Sequence, residues 1–220
     1  MTRPRIREPV SASVWRSGEP PLLAWYGDDF TGAAAVLEVL AFAGLPGALF
    51  LRRPDPAQRA ALGDLAVIGL AGTARAESPE WMDENLPPVY DWLAANGAAL
   101  VHYKVCSTLD SSPAVGSIGR AAELGRRRLG GGAIPCLVAA PWMGRYQCFG
   151  QLFARGPDGE VHRLDRHPVM ARHPVTPMDE ADVAAHIARQ GTLVTAALTL
   201  DVPPGRLAAR FDELAAGGAD

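Results

Sequence analysis

The strongest constraint on the fold is an alternation of short apolar runs with stretches of helical periodicity. Residues 22–27 form an apolar run with aromatics between Pro21 and Gly27, which reads as a buried strand. Residues 31–43 follow with Ala33, Val36, Leu37, Val39 and Leu40 on one helical stripe that stops at Gly44. Further strands are predicted over 46–51, 65–70, 98–105 and 134–140. A helix is predicted over 80–96, where Pro87 and Pro88 must interrupt or restart it. Another spans 118–129 and is stopped by Gly130-Gly131-Gly132. Strands alternating with helices imply a mostly parallel sheet with helices on its faces.

The pattern changes after Pro141. Residues 151–154 and 160–164 flank Gly156-Pro157-Asp158-Gly159, a strong hairpin signal. Residues 166–177 are rich in Pro and His and irregular. A helix over 178–190, a strand over 192–200 and a helix over 204–216 complete the reading. The expected architecture is α/β: a three-layer, Rossmann-like, mostly parallel sheet with helices on both faces and an added β-hairpin. Residues 1–21, rich in Arg, Pro and Ser, are expected to be a disordered N-terminal extension ahead of a domain over 22–216.

Composition removes several functions. Acidic residues outnumber basic ones by 24 to 21, giving a net charge of −3, which disfavours non-specific nucleic-acid binding. Cys106, Cys136 and Cys148 make an odd number with no CxxC spacing, which fits free thiols in a reducing cytoplasm and no zinc site. No run of about 18 apolar residues is present, so no membrane helix is expected. Of the 21 basic side chains 20 are Arg, and the single Lys is Lys104.

Three segments could carry chemistry. In Tyr26-Gly27-Asp28-Asp29-Phe30-Thr31-Gly32, two carboxylates stand where the first strand ends and the first helix begins, the edge at which open α/β sheets bind ligands. One can serve as a general base and the other as a hydroxyl or metal ligand. Asp29 or Thr31 could equally be the helix N-cap, although a cap accounts for one carboxylate and not two. The fourth strand carries Lys104 towards the same edge, ahead of a loop offering Ser107, Thr108, Ser111 and Ser112 and a helix start at Gly116-Ser117. A lysine with hydroxyls and helix N–H groups suits a carboxylate or phosphate. The plainer alternative is a polar loop whose hydroxyls cap turns. In residues 141–150, Arg145 could hold a carboxylate bidentately or be one arginine of a solvated loop. His167 and His173 lie near Asp165 but lack metal-ligand spacing and sit beside prolines, so they read as structural.

Taken together, Gly27 to Ala33, Tyr103 to Thr108, Pro141, Gly144-Arg145 and the stretch 164–179 resemble the four-carbon acid sugar kinase family, specifically its N-terminal sugar-acid-binding domain. The resemblance runs from about Leu22 to about Gln190. It implies an ATP-dependent kinase acting on the terminal hydroxyl of a small four-carbon or related oxo sugar acid. By resemblance, Asp28 or Asp29 takes the hydroxyl proton. Thr31, Gly32, Lys104, Ser107 and Thr108 hold the substrate, with Lys104 on its carboxylate, and Arg145 adds a second cation. Most members follow Ser-Thr-Leu with Arg-Gly-Asn, whereas Leu109 here is followed by Asp110-Ser111-Ser112-Pro113. That removes one guanidinium and resembles a subgroup acting on an oxo sugar acid such as 3-oxo-isoapionate. ATP and Mg2+ are expected on a C-terminal nucleotide-binding domain absent from these residues, since no G-x-x-x-x-G-K-S/T or G-x-G-x-x-G loop occurs in them. The expected partners are therefore a small sugar acid and a separate or deleted nucleotide-binding domain, with no nucleic acid and no membrane. Two other functions stay open: a non-catalytic sugar-acid-binding or regulatory module, and a metal-dependent hydrolase using Asp28, Asp29 and His167 or His173.

Overall fold

The computed structural model describes residues 15–220. Residues 1–14 of the expected extension lie outside the described residues; Trp15 packs against the core and Pro21 is buried. The chain divides into two units, one of Met1–Arg75 with Glu84–Val105 and the other of Ala76–Asp83 with Cys106–Asp220.

The first unit is an α/β layer structure. It contains β1 (Leu23–Gly27), α1 (Phe30–Phe42), β2 (Gly47–Phe50), α2 (Pro56–Ala60), β3 (Val67–Ala71), α3 (Pro79–Ala95, from Glu84 onward) and β4 (Leu100–Lys104). All four strands are parallel, in the order β2-β3-β1-β4. Because successive strand side chains alternate between faces, Trp25 and Tyr26 serve opposite helices. Trp25 clusters with Ala66, Val67 and the α1 residues Val36, Leu37 and Leu40, and its indole N–H donates to the Ala33 carbonyl at 3.2 Å. The ring lies over β3 so closely that a Cβ at Gly69 would come within 2.2 Å of it, which is why that strand carries a glycine there. On the other face Tyr26 meets Tyr103 of β4, and Tyr103 meets Tyr90 of α3.

The two prolines do not interrupt α3, which runs unbroken through Pro87 and Pro88. Each costs about 3 kcal/mol in a helix interior. Leu86 and Leu93 are fully buried and Tyr90 is 2% exposed, and each such side chain contributes roughly 1.5–3 kcal/mol. Burial of the apolar stripe therefore offsets the cost of the prolines.

The second unit carries α4 (Ile118–Leu129), a separate antiparallel sheet β5 (Arg145–Cys148), β6 (Gln151–Arg155) and β7 (Val161–Arg163), then α5 (Val183–Ala188) and α6 (Leu207–Ala216). The β6–β7 hairpin is the expected one, and β5 extends it over residues expected to be a loop. Two predicted strands are not formed. Residues 134–139 have no regular structure, Ala140 makes only an isolated bridge, and Leu137 is 84% exposed. Residues 192–200 likewise form no strand. The Val194 N–H and C=O both bond to Asp220, so at this residue the groups a neighbouring strand would need are taken. Apolar alternation marks what can be a strand, but a strand exists only where a partner accepts its backbone bonds. The α5 helix is shorter than predicted because the Asp182 side chain caps it by accepting from the Ala185 N–H, while Ala181 O accepts from Leu152 N–H. No helix among the described residues is long and apolar enough to cross a membrane.

Candidate functional site

The parallel register sets the site. Gly27 pairs with Ala71 on one side and Lys104 on the other, so β1, β3 and β4 end level with one another. The connections leaving β1 and β3 carry α1 and α3 to opposite faces, and the carboxyl ends of two such strands are the usual ligand position of these sheets. Asp28 is the first residue past β1. Its N–H donates to the Lys104 carbonyl at 3.1 Å, and its carbonyl accepts from the Arg75 N–H at 3.0 Å.

The two aspartates differ in their surroundings. Asp29 is the N-cap of α1, with its Oδ1 accepting from the Gly32 N–H at 2.8 Å. Thr31, the other capping candidate, is exposed on the first turn. Asp28 caps nothing and is 3% exposed. Burial raises its carboxyl above the ordinary value, and Asp29 adds to this. Hydrogen bonding and charge from Arg75, with charge from Lys104, pull the other way without cancelling the rise.

Both carboxylates are held by a residue that the sequence reading missed. Arg75 sits in the 3-10 turn Ala74–Ala76 after β3. Its Nε and Nη2 donate to the Asp28 carboxylate at 3.2 and 2.6 Å, and its Nη1 and Nη2 to that of Asp29 at 2.9 and 3.0 Å. The signal was present. The strand predicted over 65–70 ends just before Ala71-Gly72-Thr73, and the strand-end logic applied to Asp28 and Lys104 applies equally to Arg75 two residues further on.

Lys104 lies at the same edge. Its ammonium donates to the Val105 carbonyl, and among the described residues no carboxylate lies within ion-pair distance of it. Gly32 marks where the groups meet. A Cβ there would lie 2.5 Å from Asp29 Oδ1, 3.5 Å from Lys104 Nζ and 3.7 Å from Arg75 Nη2. One carboxylate and two cations thus flank a position that only glycine leaves open, and Arg75 links that position to the buried carboxylate of Asp28. Such a set can bind a small anion, and its buried carboxylate can accept a proton from a hydroxyl.

The remaining candidates belong to the second unit. Ser107 is half-buried. The Thr108 hydroxyl donates to Asp110 at 2.7 Å and lies 2.9 Å from the Cys106 sulfur. Arg145 turns its Nη1 onto the carbonyls of Met143 and Gly144, at 3.1 and 3.3 Å. The helix N–H groups offered to an anion are not open. Gln190 Oε1 accepts from Ile118 N–H at 2.7 Å and Gly119 N–H at 3.3 Å, and Ser117 accepts from Arg120 N–H. His167 Nδ1 accepts from the N–H groups of Val169 and Met170, and His173 Nδ1 accepts from that of Thr176. Both nitrogens thus serve loop structure, and no cluster of His, Cys, Asp and Glu suited to a metal occurs among the described residues. Two helix starts are closed to a phosphate in the same way. The Gly32 N–H at the start of α1 is given to Asp29 and the first amides of α4 to Gln190.

A family model for a sugar-binding N-terminal domain matches residues 23–220. The chain is 51% identical over 181 residues to a protein of Paraburkholderia graminis named 3-oxo-isoapionate kinase, covering 82% of this chain and 38% of that protein. It is 32% identical over 202 residues to a Pseudomonas fluorescens protein named 3-oxo-tetronate kinase, covering 91% of this chain and 42% of that one. The chain therefore spans less than half the length of these relatives. A solved Haemophilus influenzae structure of the DUF1537 family superposes with a TM-score of 0.75 at 26% identity, covering 89% of this chain and 46% of that one. A Bordetella bronchiseptica DUF1537 structure with bound citrate shares the fold, with a TM-score of 0.67 at 22% identity, covering 88% and 45%.

Proposed function

Because the chain belongs to the family of sugar-binding N-terminal domains, we propose that it is the sugar-acid-binding part of a kinase that phosphorylates a hydroxyl of a small four-carbon or related oxo sugar acid. The kinase names of the relatives support the reaction class, and the 51% identity to a 3-oxo-isoapionate kinase favours an oxo sugar acid. The observation that carries the reading is the strand-end cluster, in which Arg75 pairs with the buried carboxylate of Asp28 and stands with Lys104 beside Gly32.

In this reading Lys104 holds the acid's carboxylate, and Thr31 and Gly32 line the bound chain. Asp29 keeps its role as helix cap and fixes the first turn. Asp28 is the base. It caps nothing, and burial raises its proton affinity towards the range where a carboxylate can draw a proton from an alcohol. The hydroxyl to be phosphorylated lies against an Asp28 oxygen, and its proton passes there as the hydroxyl oxygen becomes the nucleophile. Catalysis by this chain is thus mainly positioning and charge compensation. ATP with Mg2+, held by a nucleotide-binding domain of the same or a separate chain, would supply the phosphoryl group and leave as ADP. The thiols of Cys106, Cys136 and Cys148, none of them in a disulfide, support a reducing, cytoplasmic setting.

Calorimetric titration of the chain with threonate and with its uncharged analogue threitol tests the proposal. Threonate is expected to bind more tightly than threitol, and Lys104→Ala to reduce that preference. Asp28→Asn is expected to retain binding while abolishing phosphoryl transfer in the protein carrying the nucleotide-binding part. Absence of threonate binding, or full turnover by Asp28→Asn, would overturn it.

A further inference from the structure

We propose that Arg75 reads the substrate's carboxylate by exchange: the incoming acid takes the guanidinium from Asp28, and Asp28 is thereby released to act as the base. The inference rests on reading the strand-end cluster as a sugar-acid site.

The geometry points this way in three respects. First, the planar fork of Arg75 is shaped for bidentate carboxylate recognition, which the point charge of Lys104 is not. It reaches two carboxylates at once, with Nη2 shared between Asp28 at 2.6 Å and Asp29 at 3.0 Å. Second, only one of the two carboxylates can leave without local rearrangement. Asp29 is tied to α1 through the Gly32 N–H. Among the described residues, Arg75 supplies every hydrogen bond to the Asp28 side chain. Third, the Arg75 main chain is held independently of what its side chain pairs with. The Arg75 backbone N–H is fixed to the Asp28 carbonyl at 3.0 Å, and Ala74 beside it is fully buried.

Charge counting gives the exchange its consequence. Arg75 and Lys104 balance Asp28 and Asp29, so an added substrate carboxylate leaves three negative groups against two positive ones. Burial makes the excess most costly at Asp28. The groups facing Asp28 are Asp29 on its own turn, Arg75 after β3, and Lys104 and Tyr103 on β4. Burial pushes the Tyr103 hydroxyl far above its usual value, so it carries no charge at neutral pH. Transfer of Arg75 to the substrate removes the strongest influence holding the Asp28 carboxyl down and makes it a stronger base at the moment a hydroxyl is bound. An uncharged polyol cannot trigger the exchange, so the site selects acids through the base as well as through binding.

Titration of the 220-residue chain with threonate and with threitol, in two buffers of different ionisation enthalpy near pH 6, tests the exchange. Threonate is expected to bind with uptake of part of a proton, and threitol with none. Arg75→Gln is expected to reduce the acid-over-polyol preference by about tenfold or more, the loss appropriate to a charge-assisted hydrogen bond. Asp28→Asn, which removes the competing carboxylate, is expected to bind threonate at least as tightly as the wild type and without proton uptake. Should Arg75→Gln not fold, Arg75→Lys decides, since it keeps the charge and loses the fork; its preference is expected to fall as well. Undiminished preference in the Arg75 variants would overturn the role of Arg75 alone, as would weaker threonate binding by Asp28→Asn. If the wild-type chain binds neither ligand, the sugar-acid reading of the site falls, and the exchange with it.

Discussion

Gly32→Ala separates the site from the fold. At this position in the first turn of α1, exchange of Gly for Ala would by itself favour the helix by about 1 kcal/mol. The added methyl, however, arrives 2.5 Å from Asp29 Oδ1, well inside contact distance. Asp29 cannot yield by a small swing, because the same oxygen accepts from the Gly32 N–H at 2.8 Å and from Arg75 Nη2 at 3.0 Å. It must change rotamer and give up the cap, at a cost of about 1 kcal/mol. It also gives up its half-exposed pair with Arg75, worth less than about 1 kcal/mol. Gain and loss nearly cancel, so the denaturant midpoint is expected to correspond to a stability within about 1 kcal/mol of wild type. The site does not recover in the same way, since the methyl fills the position flanked by Lys104 and Arg75. Threonate affinity, read by calorimetry, is expected to fall at least about tenfold while the protein stays folded. Wild-type affinity in a folded Gly32→Ala protein would refute the placement of the ligand at this vertex.

Lys104→Ala is expected to weaken threonate binding by about tenfold and to leave threitol binding unchanged, as seen in paired titrations; equal loss for both ligands would remove Lys104 from the carboxylate. Gln190→Ala strips the acceptor from the Ile118 and Gly119 N–H groups and the donor to Ser111, all buried, and is expected to cost about 2–3 kcal/mol in urea unfolding. Glu123 carries an acid-sensitive contribution in the second unit. Burial acts to raise its carboxyl, but donors from the Thr192 backbone and hydroxyl and from Arg120 outweigh it, so the value ends below the ordinary 4.5. A depressed folded value means stability present above pH 4.5 and lost as the pH falls through the folded value. Glu123→Gln is therefore expected to lower stability at pH 7 and to flatten its decline below pH 4.5, measured by urea unfolding across pH. For Asp28 the sign is reversed: its raised value means that the folded state binds the proton more tightly, and its contribution falls as the pH rises through the interval between the unfolded and folded values.

Much of the first unit was legible because its signals are local and agree with one another. The apolar run at Leu23–Gly27, the turn at Asp28-Asp29 and the stripe of α1 each depend on spacing within a few residues. So do Ser117 and Gly130 at the two ends of α4, the latter left-handed at φ 88°. β5 was not legible, since Arg145-Tyr146-Gln147-Cys148 has no apolar run; it is a strand because β6 lies beside it. Conversely, 134–140 and 192–200 have strand-like composition and no sheet partner. The prolines of α3 were read by their local cost, which the burial of Leu86, Tyr90 and Leu93 overrides.

The same division runs through the site. The sequence alone determined that two carboxylates and the one lysine stand at strand ends of a parallel sheet, because strand ends follow from periodicity and parallel strands align their ends. Tertiary structure decided which carboxylate is buried and which caps a helix. It also brought Arg75 onto both across separations of 46 and 47 residues, and closed the start of α4 with Gln190 from 72 residues away. Burial and charge pairing depend on what surrounds a group in space, and no spacing rule along the chain contains that information.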